Sequence, residues 1–254
     1  MSAKKYLGQH FLTRRDVARR IADAAPAADR LVEIGPGKGI LTSFLLDRDV
    51  RLKAVELDGE LIPVLRERFP GLEIIHADFL SLTPEVLFGG ETFGIIGNFP
   101  YNISSQILFW AVRHVKQVTG LTGMFQREVA RRVVSGPGSR DYGILSVLVQ
   151  AYFEGSYLFS VGPDSFRPPP KVHSGVIRLV RKTDWALGCD ESLFHQVVKR
   201  VFGQRRKMLR NTLRGLLPVG VLAEDFFMRR PEQLTVEEFV MLTNRISQFK
   251  NEDK

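Results

Sequence analysis

Arg30-Leu31-Val32-Glu33-Ile34-Gly35-Pro36-Gly37-Lys38-Gly39 is a short apolar run that breaks into a glycine-rich turn. Leu31, Val32 and Ile34 read as a buried strand, and the glycines behind them as the turn that opens a helix. The pattern repeats outward along the chain. A helix is expected over 39–46, a strand over 51–56, a helix over 59–68, a strand over 72–76, a fourth strand over 92–97 and a helix over 104–115. Strands alternating with helices in this way predict an α/β fold, a mostly parallel sheet with helices on its faces. A fifth strand over 118–125 continues the series, followed by helices over 127–134 and 144–153. Two late strands, 156–161 and 175–181, bracket a proline-rich loop.

In front of the sheet lies a basic lead, Lys4-Lys5-Tyr6-Leu7-Gly8-Gln9-His10-Phe11-Leu12, which reads as irregular. The helix behind it takes Thr13 as its N-cap and Asp16 as its N3 acid. Its Arg14, Arg15, Arg19 and Arg20 fit either a solvated face or a phosphate-binding one. Beyond Lys182 the composition changes to a linker, and helical patterns replace strands. The boundary is placed there: one domain over 1–182 and a small C-terminal helical domain over 183–254. The stretch 199–214 holds Lys199, Arg200, Arg205, Arg206, Lys207, Arg210 and Arg214 with no acid. A one-signed face repels itself, which favours a phosphate partner.

The whole chain agrees in sign: 36 Lys and Arg against 28 Asp and Glu give 254 residues a formal charge of +8, which suits a polyanion such as nucleic acid. The single cysteine, Cys189, excludes an internal disulfide and a thiolate metal cluster and suits a reducing compartment. No apolar run is long enough to span a membrane and no signal peptide is evident, so a cytoplasmic protein without a membrane partner is expected.

The glycine turn has the spacing Gly-x-Gly-x-Gly. Ile40 stands where a dinucleotide fingerprint needs glycine, and no Gly-Lys-Ser/Thr follows, which disfavours nicotinamide cofactors and a Walker-type loop. Taken alone it is a ligand loop or an ordinary turn. Glu56 ends the second strand, where a carboxylate accepts from both hydroxyls of a ribose. Asp78 ends the third, where one would accept from an adenine amino group. Either acid alone is equally a surface carboxylate. The fourth strand runs into Asn98-Phe99-Pro100-Tyr101, which combines a bidentate amide, a proline-stiffened turn and an aromatic ring. That is a grip for a flat, amino-bearing base, or else a common strand-to-helix turn. Gly35, Glu56, Asp78 and Asn98 together form one row along the carboxyl edge of the sheet, the edge at which open α/β sheets bind ligands.

These residues resemble the S-adenosylmethionine-dependent methyltransferases of the Rossmann-like class. More narrowly, they resemble the ribosomal RNA adenine N6-dimethyltransferase family. The resemblance runs from Gly8-Gln9-His10-Phe11-Leu12 through Glu33-Ile34-Gly35-Pro36-Gly37, Glu56-Leu57-Asp58 and Gly97-Asn98-Phe99-Pro100-Tyr101-Asn102-Ile103-Ser104. It continues through Phe166-Arg167-Pro168-Pro169-Pro170-Lys171-Val172-His173-Ser174 to Arg205-Arg206-Lys207-Met208-Leu209-Arg210-Asn211-Thr212-Leu213. The first and last of these look more like the bacterial small-subunit (16S) type than the large-subunit (23S) type. Phe99 departs from the leucine usual in the family.

The resemblance implies S-adenosylmethionine as methyl donor, with contacts from His10, Leu12, Gly35, Gly37, Glu56, Asp78 and Asn98. The lead then folds over the cofactor. It implies a catalytic set of Asn98, Pro100, Tyr101 and Phe166. The Asn98 side-chain oxygen and the Pro100 carbonyl would accept the two N6–H bonds, Tyr101 would stack on the base, and Phe166 would bound the pocket. Unaided by the family, Phe166 reads as a hydrophobic plug. Neither a general base nor a metal is needed. Arg205, Arg206, Lys207 and Arg210 would hold RNA phosphates, making the C-terminal domain RNA-binding. The implied partner is 16S ribosomal RNA in the small subunit, dimethylated at two adjacent adenosines near its 3′ end, and a monomer is the default state. A 23S enzyme and a mainly non-catalytic ribosome assembly factor are the rivals.

Overall fold

The computed structural model describes residue 4 and residues 7–252; Lys5 and Tyr6 of the basic lead lie outside the described residues. Two compact units emerge, residues 1–131 with 153–182, and residues 132–152 with 183–254.

The first unit opens with β1 (Phe11–Leu12) and α1 (Arg15–Asp23). There follow β2 (Arg30–Ile34), α2 (Thr42–Leu45), β3 (Arg51–Glu56), α3 (Leu61–Arg68), β4 (Glu73–His76), α4 (Pro84–Phe88), β5 (Phe93–Asn98), α5 (Ser104–Arg113) and β6 (Val118–Gln126). After α6 (Arg127–Val134) and α7 (Ile144–Gln150) come β7 (Phe153–Val161), the two-residue β8 (Phe166–Arg167) and β9 (Ser174–Arg181). The sheet order is β4-β3-β2-β5-β6-β9-β7. The β4, β3, β2, β5 and β6 pairings are parallel, and β9 runs antiparallel to both β6 and β7. Strand order therefore reverses at β2, which pairs with β3 on one side and β5 on the other. The crevice beyond the carboxyl ends of β2 and β5 is the topological switch point, where such sheets take their ligands.

Both faces of the central strands β2, β5, β6 and β9 are buried. Leu31, Ile96, Met124 and Val176 share a cluster with Val17 and Ile21 of α1 and Phe44 and Leu45 of α2. The intervening Val32, Ile95, Leu121 and Ile177 are buried as well. Such two-sided burial explains why the strands read as nearly continuous apolar runs.

Three local expectations are corrected. The helix expected over 39–46 is reduced to α2; Gly39, with a φ of 78°, belongs to the turn, because an α-helix cannot contain that conformation. Thr13 is not the cap of α1. Its N–H (2.8 Å) and its hydroxyl (3.0 Å) both donate to the Ser165 carbonyl, extending the antiparallel β1–β8 pair, so Arg14 takes the cap position without a side-chain bond. The lead is thus partly a strand, Phe11 opposite Arg167 and Leu12 opposite Phe166.

The third correction concerns 132–152, which the sequence reading assigned to the first domain. These residues are bonded into the second unit. Gly138 N–H donates to the Glu232 carbonyl (2.7 Å), the Tyr142 hydroxyl to the Leu234 carbonyl (2.9 Å), and Arg205 to the Ser139 carbonyl (3.2 Å). The rest of that unit is α8 (Glu191–Phe202), α9 (Leu209–Thr212), α10 (Val219–Leu222) and α11 (Val236–Glu252). Asp190 caps α8 by accepting from Leu193 N–H at 2.7 Å. Phe194, Val198, Phe227, Phe239 and Ile246 form its buried interior. Among the described residues no helix is long and apolar enough to cross a membrane.

Candidate active site

A cavity enclosing about 880 Å³, counting its open mouth, lies in the first unit at the switch point and is lined by Gly35, Glu56, Asp78, Asn98, Pro100 and Tyr101. The row of four strand ends read from sequence thus converges on one space. Gly35 N–H donates to the Val55 carbonyl at 2.9 Å, which ties the turn after β2 to β3. Glu56 is buried, and its two carboxylate oxygens accept from Gly37 N–H (3.1 Å) and Asp58 N–H (2.9 Å). Burial pushes its carboxyl above the ordinary range, against the pull of those backbone donors. Each oxygen retains a further lone pair. Asp78 is exposed and holds the turn after β4 by accepting from Leu80 N–H at 3.0 Å. Ile34, Val55, Leu57, Ala77 and Phe79 supply apolar walls between the two acids.

The lead covers this cavity: Leu7, Gly8, Gln9, His10 and Phe11 all line it. It is fastened to the start of α3. Asp58 accepts from the Lys4 ammonium (2.7 Å) and the Gln9 side-chain amide (2.8 Å), and Lys4 also pairs with Glu60 at 3.0 Å. Gly37 lies beneath Phe11, where a Cβ would stand 3.1 Å from the ring. The lack of a side chain there lets the lead approach the glycine turn.

At the fourth strand end, the Asn98 side-chain amide donates from Nδ2 to the His10 carbonyl at 3.0 Å. That bond orients the amide, and Oδ1 has no hydrogen-bond partner among the described residues. The Pro100 carbonyl accepts from Ile103 N–H at 3.2 Å and keeps its second lone pair. Tyr101 shares a 2.6 Å hydrogen bond with the Ser174 hydroxyl, and burial holds its phenol above the ordinary tyrosine range. Phe99 is buried beneath the grip. Its ring covers Gly97 and Gly123, which face each other across β5 and β6, and it meets Phe125 edge-on at 5.1 Å.

Other expected site residues fall elsewhere. Phe166 is 0% exposed, shares the hydrophobic cluster of Leu12, Met124 and Val176, and does not line the cavity, so the plug reading describes where it sits. Leu12 is held in the same cluster by its pairing with Phe166 and lines a small adjoining cavity, together with Glu33 and Lys38. Gly37 does not line the main cavity; its N–H holds Glu56 instead.

In the second unit, Arg206, Lys207 and Arg210 line an open cleft together with Arg214 and Arg230. Arg230 is far from the basic stretch in sequence and was missed; the Leu209 N–H bond to the Arg229 carbonyl (2.9 Å) brings it there. Arg205 is turned to the Ser139 carbonyl and lies 3.9 Å from Glu232. Arg200 also serves structure, donating to the carbonyls of Thr212 (2.7 Å) and Arg214 (3.1 Å).

The sequence model of the ribosomal RNA adenine dimethylase family matches residues 1–248. The chain belongs to that family. Among this dimethylase's relatives, the ribosomal RNA small subunit methyltransferase A of Bacteroides thetaiotaomicron is 51% identical, over 96% of this chain and 94% of that one. The protein of the same name from Porphyromonas gingivalis is 50% identical, over 98% and 99%. Among solved structures, the dimethylase superposes on a dimethyladenosine transferase from Plasmodium falciparum with a TM-score of 0.82 (24% identity; 94% and 98% covered). It also superposes on the 23S rRNA methyltransferase ErmE with a TM-score of 0.72 (25% identity; 94% and 100% covered).

Proposed function

We propose that this dimethylase transfers methyl groups from S-adenosylmethionine to N6 of two adjacent adenosines near the 3′ end of 16S ribosomal RNA, in the cytoplasm. The observation that carries the reading is the convergence of Gly35, Glu56, Asp78 and the Asn98–Tyr101 grip on one cavity, in a chain about half identical to small-subunit methyltransferases.

The residues present fit the cofactor. Glu56 offers two oxygens to the ribose hydroxyls, Asp78 a carboxylate to the adenine amino group, and the apolar walls between them a slot for a flat ring. Bound S-adenosylmethionine supplies an electrophilic methyl group on a sulfonium that leaves readily.

N6 of adenine is a poor nucleophile because its lone pair is delocalised into the purine ring. Asn98 Oδ1 accepts one N6–H and the free lone pair of the Pro100 carbonyl the other, which favours a pyramidal nitrogen with a directed lone pair. Tyr101 stacks on the ring and sets its plane. Alignment of this kind supplies much of the rate of a two-reactant step. The base first leaves its stack, at a cost of a few kcal/mol in a duplex and less in a loop. In the second unit, Arg206, Lys207, Arg210, Arg214 and Arg230 hold backbone phosphates.

The deciding experiment is methyl transfer to purified small subunits lacking the modification, with 23S RNA as control, followed by mapping of the modified bases. Two adjacent N6-dimethyladenosines in 16S RNA are expected; modification of 23S RNA alone, or subunit binding without transfer, would overturn the assignment.

A further inference from the structure

Tyr101 defines the plane of the target base only if its own ring is held still, and nothing within Asn98–Tyr101 does that. The phenol oxygen lies 2.6 Å from Ser174 Oγ. Ser174 is wholly buried and opens β9, where its backbone is in register with Gln126 of β6 on one side and Val161 of β7 on the other. Its backbone is therefore anchored within the sheet, so its hydroxyl can swing only about the Cα–Cβ bond. The other constraint is His10, whose imidazole lies with its centroid 5.5 Å from that of Tyr101 and its plane tilted by 32°, near an offset stack. His10 Nδ1 is 2.8 Å from the Pro168 carbonyl, which can only accept, so Nδ1 carries the proton and the imidazole is tethered too. A base between two rings needs about 7 Å, two van der Waals separations of about 3.5 Å each. The Tyr101–His10 gap is too small for that, so His10 backs the ring, and the base must meet Tyr101 elsewhere.

We infer that Ser174 is a positioning residue for the target base, acting through the Tyr101 hydroxyl to fix the ring on which the base stacks. The inference rests on the reading of Tyr101 as the stacking partner. Ser174 lies outside the cofactor cavity, so the loss of its hydroxyl changes the orientation of the base and leaves cofactor affinity alone.

A double-mutant cycle tests it. Ser174→Ala, Tyr101→Phe and the double variant are assayed for kcat and KM on small subunits lacking the modification. Calorimetric affinity for S-adenosylmethionine and thermal stability are measured alongside. Each single change is expected to lower kcat about 3- to 10-fold, the worth of one neutral hydrogen bond. The double variant should be no worse than the poorer single, and the cofactor affinity of Ser174→Ala unchanged. Losses that multiply in the double variant would overturn the inference, because Ser174 would then act by another route. So would wild-type kcat in Ser174→Ala while Tyr101→Ala abolishes transfer. Full transfer by Tyr101→Ala would instead overturn the stacking reading itself. Should Ser174→Ala fail to fold, Tyr101→Phe cuts the same bond from the other end, and wild-type kcat there overturns the inference.

Discussion

At the scale of single residues, Asn98 shows how a common turn amide becomes a directed acceptor. The His10 carbonyl takes its nitrogen, and the oxygen has no hydrogen-bond partner among the described residues. Asn98→Ala should lower kcat by about 10²- to 10³-fold, as loss of one preorganised polar contact at a reacting group does, while thermal stability stays near wild type. Near wild-type transfer would remove Asn98 from the chemistry. Glu33 has a different consequence. It is 1% exposed, and Thr42 Oγ1 donates to it at 2.7 Å. Burial pushes its carboxyl up to about 8, with the charge of Glu56 adding and the Thr42 bond opposing. From its ordinary value of 4.5 up to about 8, the folded chain keeps a proton that the unfolded chain has lost. Stability from this group therefore falls as pH rises through that window, by at most about 1.4 kcal/mol per unit, and levels off above it. Denaturant unfolding at pH 5 and pH 9 should show Glu33→Gln losing less stability than wild type on going to the higher pH. Parallel losses would mean that Glu33 is ionised in the fold.

Among the elements, β5 and β6 show what the Phe99 ring packs against. Gly97 and Gly123 are partners across the two strands and leave a flat hollow, which the Phe99 ring fills. A Cβ on Gly123 would stand 2.0 Å from that ring. Gly123→Ala is accordingly expected to cost about 1–3 kcal/mol, the usual range for overpacking, and to cost clearly less in a Phe99→Leu background. Equal losses in both backgrounds, by chemical denaturation, would show that the ring is not what the added methyl meets. Strands were easier to read than helix ends. The apolar residues of β2 and β5 are close enough together to declare those strands. The start of α1 depended on Thr13, whose hydroxyl is claimed by Ser165, a residue far off in sequence.

On the scale of the whole molecule, positive charge is gathered into a cleft of the second unit. Replacing Arg206, Lys207 and Arg210 together by alanine should flatten the plot of log affinity for ribosomal RNA against log salt, reducing its slope by about 2–3, near one released counterion per lost phosphate contact. An unchanged slope would mean that the cleft holds no phosphates. Its other two basic side chains, Arg214 and Arg230, show the limit of a linear reading. Arg214 closes the basic stretch, whereas Arg230 joins it only because α9 is bonded to the Arg229 carbonyl.

By itself the sequence determined the alternation of strands and helices, the glycine turn, the acids at the ends of β3 and β4 and the Asn98–Tyr101 turn at the end of β5. These are local patterns, set by backbone preference and side-chain periodicity within a few residues. Only the tertiary structure decided that Phe166 is core, that 132–152 belongs with the C-terminal helices, and that Ser174 holds Tyr101. Each of those depends on which distant segment supplies the neighbour, and no spacing along the chain records that choice.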